Sequence, residues 1–301
     1  MKAVIQTRYG GPELLKLVST PIPTVKENEI LIQIKATNVS SGDWRVNTLS
    51  VPTILKPIMR SIFGFRGPRQ KIRGITGAGT IIKTGSKVSS FEPGGHVYFI
   101  NSIKAGCLAE FIVLKESSII AKIPDTMNFT EAAPLAFGAM TAYHFINKNT
   151  IQQNMEVLIY GASGSVGSYA VQLAKYYGAE VTAVSSFKHH KELLKLGADH
   201  VIDYTQHDFR TDLKQFDVIL DAVGKISKGS CKAVLNPTGK YYTVKSPTKE
   251  DSCRLESINK IIEEGRMKTL IDKVYPFNEF KEAHIHVYDG HKCGNVIIQV
   301  I

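Results

Sequence analysis

The amino-acid sequence predicts an α/β protein that combines a β-rich part with a doubly wound parallel sheet. Before about residue 120, short β-branched runs alternate with Gly, Pro and Asn, which is typical of strands and turns. From Asn154 onwards, apolar runs alternate with segments of helical period, which indicates strand-helix-strand units. The chain ends on another short apolar run, residues 294–300, which we expect to rejoin the β-rich part.

The β-rich part is predicted from runs that share β-branched residues and flanking turn residues. These runs are residues 3–6, 29–36, 78–83, 96–100 and 110–114. After residue 271 we again expect only short strands.

The parallel sheet is predicted from a regular alternation of elements. Its strands are expected at residues 157–160, 180–185, 201–202 and 218–220, and its helices from the turn after residue 160 to Tyr177, at 188–196 and at 257–264. These patterns divide the chain into a β-rich domain of residues 1–123 and 269–301 and a sheet domain of residues 124–268.

Composition and length limit the class of protein. Of the 301 residues, 43% are hydrophobic and 21% are charged, which is ordinary for a globular protein. The sequence lacks an apolar run of roughly 18 residues and the pattern of a signal peptide. We therefore expect a soluble, cytoplasmic protein.

Cysteine usage and charge narrow the classes of ligand. The four cysteines are far apart and form no CxxC or Cys/His cluster, so no zinc site or disulfide framework is indicated. The formal net charge is +10, but the lysines are scattered and no long basic run contains interleaved aromatics. We expect a basic surface that attracts an anionic cofactor or substrate, and neither nucleic acid nor membrane as a partner.

Residues 161–167, Gly-Ala-Ser-Gly-Ser-Val-Gly, carry the strongest functional signal. They stand between a predicted strand and a predicted helix, where glycines let the backbone turn tightly and approach a pyrophosphate at the helix N-terminus. Ala162 replaces the usual first glycine, so the context carries the prediction of a Rossmann dinucleotide site. A turn that only packs helix on strand is the alternative.

The phosphorylated form of the cofactor is predicted from the end of the second strand. NAD-selective domains carry an acidic residue about 20 positions after the glycine motif. Here the chain reads Ser-Ser-Phe-Lys-His-His over residues 185–190. Hydroxyls and a cation suit a 2′-phosphate, so we predict NADPH. Ser186 capping the next helix is an alternative that is compatible with this role.

Several motifs in the correct order resemble the zinc-free branch of the medium-chain dehydrogenase/reductases, in particular its quinone oxidoreductase group. Besides residues 161–167, they are ATNVSSGD at 36–43, GITGAG at 74–79, GCLAEF at 106–111, MTAY at 140–143, GADHVIDY at 197–204 and FDVILDAVG at 216–224. The resemblance covers nearly the whole chain.

The resemblance implies a GroES-like β-rich domain, a Rossmann domain and NADPH bound in a cleft. The implied cofactor-binding residues are Thr141, Ser163, Gly164, Ser165, Val166, Ser185, Ser186, Lys188, His189, Tyr204, Val223 and Gly224. Family members often carry a phosphate-binding lysine where His189 stands, whereas Lys188 comes one residue earlier. Either residue is therefore a candidate for the 2′-phosphate contact.

The resemblance also implies a reductase that needs no metal. Zinc-dependent relatives have a cysteine where Ser40 stands and a histidine where Ile75 stands, and neither replacement is a competent zinc ligand. The expected activity is hydride transfer from NADPH to quinones or reactive carbonyl or enone compounds. The family often has Asn where Ser40 stands, an acid where Thr76 stands and Asp where Gly95 stands, which weakens the transfer of its catalytic residues to this chain.

No dedicated proton donor stands out, so the catalytic residues are unknown. The polar candidates are Ser40, Asp43 and Tyr98. Each has a structural alternative: Ser40 in a turn, Asp43 in a cap or bonded to backbone, and Tyr98 packed at a strand end.

Two other functions stay open. An enoyl-thioester reductase would use a positioned tyrosine, and the chain has none between Asp43 and Lys71. A non-catalytic NADPH-binding redox sensor, or an RNA-binding protein, is suggested by the net charge of +10 and the missing polar residues.

Residues 49–71 are apolar and irregular, with Pro52 among them. This segment is expected to form a lid or wall for an apolar electrophile, because such side chains usually line pockets. A short helix that only packs is the alternative.

Weak self-association is expected from a short connection. In the family, a strand after the turn at residues 237–239 often extends the sheet across a twofold axis. Here only residues 240–254 separate that turn from the next predicted helix, and they are mostly polar and include Pro247. We therefore expect a monomer or a weak homodimer.

Overall fold

The structure, a computed structural model, describes residues 1–51, 53–290 and 292–301, so Pro52 lies outside the described residues. The chain forms two compact units, one of Met1–Phe137 with Ile271–Ile301 and one of Gly138–Leu270. Among the residues that the structure describes, no helix is both long enough and apolar enough to cross a membrane.

The strands are numbered along the chain. They are β1 (Lys2–Ile5), β2 (Lys16–Ser19), β3 (Glu29–Val39), β4 (Thr76–Thr84), β5 (His96–Ile100), β6 (Phe111–Lys115), β7 (Ile120–Lys122), β8 (Glu156–Tyr160), β9 (Glu180–Ser185), β10 (His200–Asp203), β11 (Phe216–Asp221), β12 (Leu235–Thr243), β13 (Ile271–Pro276) and β14 (Asn295–Gln299).

The α-helices are α1 (Ser41–Thr48), α2 (Lys56–Phe63), α3 (Phe129–Ala132), α4 (Met140–Phe145), α5 (Ser165–Tyr176), α6 (His190–Lys195), α7 (Ser252–Glu263) and α8 (Phe280–Asp289). A π-helical turn lies at Leu135–Ala139. Short 3-10 turns lie at Pro12–Leu14, Thr53–Leu55, Phe187–His189, Phe209–Thr211, Gly229–Cys231 and Phe277–Glu279.

The first unit is built around β3. A seven-stranded sheet runs in the order β13-β14-β3-β4-β5-β7, and β6 also pairs with β3. Ile30, Ile32 and Ile34 alternate along β3, so they point to one face, where all three are buried in the core of the unit. The predicted β-rich part is confirmed.

The second unit contains a five-stranded parallel sheet in the order β10-β9-β8-β11-β12. The chain moves outward from β8 to β9 and β10, then returns to the other side of β8 with β11 and β12. Helix α5 joins β8 to β9 and packs against both. This sheet confirms the predicted Rossmann arrangement, and open sheets of this kind bind ligands where the strand order reverses, here between β8 and β11.

The first unit extends beyond the boundary expected at residue 123. Residues 124–137 belong to it, because α3 packs against β3, β4 and β14. Asn128 caps this helix by accepting a hydrogen bond from the Glu131 backbone at 3.0 Å. Ala132 and Ala133 are fully buried, so two small side chains line the packed surface of this segment.

The segment after residue 271 does not consist of short strands alone, so that prediction was wrong. Helix α8 precedes β14, and its buried residues recur at helical spacing: Phe280, Ala283, His284 and Val287. The helix ends at Gly290, whose φ of 80° is left-handed.

Two other elements differ from the predicted bounds. Helix α7 begins at Ser252 rather than near Ser257, because Asp251 Oδ1 accepts a hydrogen bond from the Cys253 backbone at 3.0 Å and caps it earlier. Residues 49–71 contain α2, so the helix named in one alternative forms, but none of its residues is buried, so it does not only pack.

We expect no dimer that continues the parallel sheet through β12. In the described part of the chain β12 is the last strand of this sheet, and Pro237 within it cannot donate to a further ladder. Sedimentation velocity at micromolar concentration should show a monomer or a dimer formed through another face. A stable dimer in which Lys240→Cys crosslinks β12 to β12, with the parent chain as control, would contradict this.

Candidate cofactor site

The predicted cofactor-binding residues all lie in the second unit. Except for Thr141, which is half-buried on α4, they follow the carboxyl ends of β8, β9, β10 and β11 or complete β9. Apart from Thr141, the predicted residues therefore lie at the carboxyl edge of one sheet, and those after β8 and β11 flank the point where the strand order reverses.

The turn after β8 is tight because its glycines replace side chains. Gly161 has a φ of 78°, and the backbone N–H groups of Gly161 and Ala162 both donate to Val184 O at 3.0 Å. A Cβ on Gly167 would lie 2.2 Å from Gly161 O and 2.7 Å from Ala162 Cα. Glycine at 167 is thus required for α5 to lie against the end of β8.

Gly164 differs from these two glycines. It is the N-cap of α5, with an extended backbone at φ −77° and ψ 177°, and it supplies no side-chain cap. A Cβ there would approach only Gly161 O, at an ordinary distance of 3.4 Å. The internal packing of the unit therefore gives no reason for glycine at 164, whereas an anion that approaches the first N–H groups of α5 would.

The end of β9 carries the residues predicted to contact the 2′-phosphate. Ser185 is buried and its Oγ donates to Ser186 O at 3.1 Å. Ser186 occupies the N-cap of the following 3-10 turn without a side-chain cap bond, so the capping alternative is wrong. Lys188 is exposed, whereas only 9% of the surface of His189 is. Lys188 is therefore the more accessible of the two candidates.

His190 was missed by sequence reasoning, although it completes the run of residues 185–190. Its Nε2 is buried and has no hydrogen-bond partner among the residues that the structure describes. The Phe187 ring, which is 75% exposed, stands 5.5 Å from the His190 ring.

Asp221 organises the loop after β11, and it too was given no role by the sequence. Its carboxylate is fully buried, and Oδ1 accepts from the backbone of Val223 and Gly224 at 3.1 and 2.7 Å, while Oδ2 accepts from Ile226 at 3.1 Å. The Tyr241 hydroxyl donates to Ile226 O at 2.8 Å. Burial and the nearby Asp221 charge raise the pKa of Tyr241 to about 12, so it stays a donor at neutral pH.

The loops after β8 and β11 touch each other. A Cβ on Gly161 would lie 2.0 Å from Val223 Cγ2. Val223 is 40% exposed and Tyr204 is 51% exposed, so both keep surface for a ligand. The Tyr204 ring stands 6.4 Å from the Tyr160 ring. Burial is the main cause that raises the pKa of the Tyr160 hydroxyl.

Ser40 and Asp43, two catalytic candidates of the first unit, form the capping box of α1. Asp43 Oδ2 accepts from the Ser40 backbone at 2.9 Å and from Ser40 Oγ at 2.6 Å, and Asp43 Oδ1 accepts from the Ile75 backbone at 3.1 Å. Both residues are 2% exposed. This arrangement fits the structural alternative for Ser40 and Asp43, because each Asp43 carboxylate oxygen already accepts a hydrogen bond.

Tyr98, the third candidate, is fully buried on β5, whose register places it between Ala78 and Ala121. Asn38 and Thr76, on the neighbouring strands β3 and β4, carry buried side-chain atoms without hydrogen-bond partners in the described structure. Asn38 was not singled out by the sequence, because its burial depends on the sheet.

The donor set at the expected zinc position does not fit a zinc ion. Ser40 Oγ is committed to Asp43, and Ile75 offers only hydrocarbon. Across residues 1–51, 53–290 and 292–301, no group of three or more His, Cys, Asp or Glu side chains could hold a metal.

Comparison with known proteins agrees with the two-part fold. Residues 26–125 match the family described as alcohol dehydrogenase GroES-like domain, and residues 165–283 match the family described as zinc-binding dehydrogenase. A solved structure of the quinone oxidoreductase from Coxiella burnetii is similar to this chain, with a TM-score of 0.84 and 25% identity, covering 100% of this chain and 99% of that chain.

Two curated relatives span the full length of this chain. A 2-methylene-furan-3-one reductase of Solanum lycopersicum is 32% identical over 327 residues, covering 100% of this chain and 79% of that protein. A chloroplastic NADPH-dependent alkenal/one oxidoreductase of Arabidopsis thaliana is 29% identical over 324 residues, covering 100% of this chain and 80% of that protein.

Gly167→Ala should destabilise the second unit by about 1–3 kcal/mol or more, because the added methyl meets backbone atoms that cannot move aside cheaply. Urea unfolding measures this. Gly229→Ala is the matched control, because the nearest atom to its added Cβ is Ser227 Oγ at 3.9 Å. If both variants unfold at the urea concentration of the parent, the packing argument for Gly167 fails.

Proposed function

Because the chain belongs to the medium-chain dehydrogenase/reductase family, we propose that it uses NADPH to reduce quinones or other reactive carbonyl and enone compounds without a metal ion. The chain is an oxidoreductase of the quinone oxidoreductase type that uses a nicotinamide cofactor. Membership of this family favours an enzyme over a non-catalytic sensor.

The observation that carries the proposal is the turn of residues 161–167 at the switch point of the parallel sheet. Two of its glycines have a packing reason, and Gly164 has none. A backbone that stays bare at the N-terminus of a 12-residue helix suits the close approach of a pyrophosphate. Gly164, Ser165 and Val166 would hold this part of the cofactor.

The preference for NADPH is argued from the end of β9. Residues 185–190 contain no carboxylate that would repel a 2′-phosphate, and exposed Lys188 offers a cation. Half-buried Ser186 keeps its hydroxyl out of the cap, so this group is available to a ligand. The Arabidopsis relative, whose name specifies NADPH, supports the same preference.

Independence from zinc is argued from the chemistry of the donors. A catalytic zinc needs three protein ligands of the Cys, His or carboxylate type. Ser40 and Ile75 supply none, and Asp43 is held by α1 and the Ile75 backbone. We therefore propose that electrophile activation by a metal is not part of the reaction.

The chemistry that remains needs little from side chains in the first unit. When bound, the nicotinamide supplies the hydride. The buried Asp221 carboxylate fixes the loop that carries Val223 and Gly224, so this loop would orient the nicotinamide end with a backbone that is already held in place. Because Asp43 is bonded and Tyr98 is fully buried, neither is proposed as the acid. A quinone suits such a site, because its reduced oxygens can take protons from water.

We expect NADPH to bind more tightly than NADH, since one charge-assisted contact to the 2′-phosphate contributes roughly 1.5–3 kcal/mol, or about tenfold or more in affinity. Fluorescence titration of both nucleotides measures the preference. Ser186→Asp should weaken or invert it by placing like charge against the phosphate, whereas the control Ser186→Ala should only reduce it. Equal affinities of the parent for the two nucleotides would refute the preference.

We expect turnover of 9,10-phenanthrenequinone with NADPH that does not change with EDTA, in protein that contains no stoichiometric zinc. Steady-state kinetics and elemental analysis test this. About one zinc per chain, lost together with activity, would contradict the metal-free mechanism.

Gly164→Ala should raise the KM for NADPH while leaving the unfolding midpoint near that of the parent, because the apoprotein has room for the methyl group.

A further inference from the structure

Helix α2 and the turn before it expose a row of large apolar side chains. Ile54, Ile58 and Ile62 are 84%, 57% and 45% exposed, and their spacing of four places them along one side of the helical segment. Phe65, just after the helix, is 66% exposed. Exposed apolar surface of this kind is typical of a site that binds a protein, a membrane or a ligand. We call these four residues the apolar row.

The surroundings of the apolar row are basic. From Trp44 to Phe91 the sequence contains no Asp and no Glu. The exposed cations of this segment near α2 are Lys56, Arg60, Arg66, Arg69 and Lys71. A segment that carries only one sign of charge attracts anions.

A cavity of about 170 Å³ opens beside the end of the row. Its lining includes Ile62, Phe63, Arg69, Arg73, Ile103 and Lys104. The cavity therefore combines apolar walls with three cations, Arg69, Arg73 and Lys104. Ile103, which lines the cavity, is 70% exposed, so apolar surface is also accessible there.

Arg73 is the buried cation of this cavity, with only 3% of its surface exposed. Its Nε donates to Asn47 Oδ1 at 2.7 Å and its Nη1 to Gln70 O at 3.0 Å, so its partners are neutral groups. Asp43 acts on it only at longer range, and burial lowers the pKa of Arg73. Since no carboxylate of the described residues pairs with it, an anionic group in the cavity would complete its environment.

We propose that the apolar row docks on the surface of a bilayer that contains anionic lipids, with the neighbouring cations and the cavity facing the lipid phosphates. An amphipathic helix with apolar residues on one side and Lys or Arg around it lies in the plane of a membrane interface in this way. The sequence alone predicted no membrane partner, because the exposure of these side chains is visible only in the fold.

Charge complementarity selects this occupant over two others. A second copy of the chain would bring the same basic segment against itself, where like charges repel. A nucleic acid would match the charge, but the centre of the surface is aliphatic, whereas single strands stack on aromatic side chains. An anionic bilayer supplies negative charge and an apolar layer together.

Co-sedimentation with vesicles tests the proposal without NADPH or substrate, so its outcome is independent of the proposed activity. The probes are vesicles of phosphatidylcholine and of an equimolar mixture of phosphatidylcholine and phosphatidylglycerol. The parent protein should partition onto the anionic vesicles at least about tenfold more strongly, and salt should reduce this binding. Equal partitioning onto both vesicles would overturn the proposal.

Matched variants assign the binding to this surface. Ile54→Ser with Ile58→Ser should abolish partitioning, whereas the control Ile82→Ser, at a residue 45% exposed on β4, should leave it unchanged. Arg66→Gln with Arg69→Gln should weaken binding to the anionic vesicles about tenfold or more. Removing two exposed charges of the second unit, Lys228→Gln with Lys232→Gln, should not.

Three further results would overturn the proposal. They are retained vesicle binding in the Ile54/Ile58 variant, equal loss in the Lys228/Lys232 control, and self-association of the parent without vesicles that the Ile54/Ile58 variant removes. The last result would assign the apolar row to a second copy of the chain. Because all the substituted side chains are exposed, circular dichroism should report the same fold for every variant.

Discussion

The close contact between the start of α5 and the end of β8 is the constraint on which the second unit depends. A single methyl group at position 167 would lie 2.2 Å from Gly161 O, so this backbone approach exists only because residue 167 has no side chain. It fixes where the N-terminus of α5 stands relative to the sheet. The other loops of the site follow neighbouring strands of the same sheet, so they lie at the same edge of the sheet as this N-terminus.

Asp221 complements that contact from the other side of the strand-order reversal. In the turn after β8, glycines without side chains let the backbone pack closely. In the loop after β11, a buried carboxylate accepts hydrogen bonds from several backbone N–H groups. The two loops meet where Val223 occupies the space that a Cβ on Gly161 would need. Hydrogen-bonded backbone on both sides of the reversal would let the proposed cofactor bind without reorganising the protein, which would limit the entropic cost of binding.

The sequence predicted the parts of the fold that repeat and missed the parts that depend on tertiary contacts. The parallel sheet was predicted because apolar strands, a glycine turn and helical segments alternate at regular spacing. Helix α8 was not predicted, because the short apolar runs around it are typical of strands. Its buried residues nevertheless have helical spacing: Phe280, Ala283, His284 and Val287. Residues 124–137 were assigned to the wrong unit, because only the packing of α3 on β3, β4 and β14 decides their place. Asp221 received no role, because a sequence does not show which backbone N–H groups turn towards a carboxylate.

Residues 49–71 show how one pattern of side chains supports opposite interpretations. From the sequence, an apolar and irregular segment fits the wall of a pocket, which assumes that its side chains point inward. In the structure Ile54 is 84% exposed and Phe65 is 66% exposed, so much of this apolar surface faces water. The same segment carries cations that contribute to the net charge of +10, and residues 44–91 contain no Asp or Glu to offset them. An anionic bilayer would cover the apolar side chains and neutralise the cations together, which an apolar small molecule in a pocket would not do.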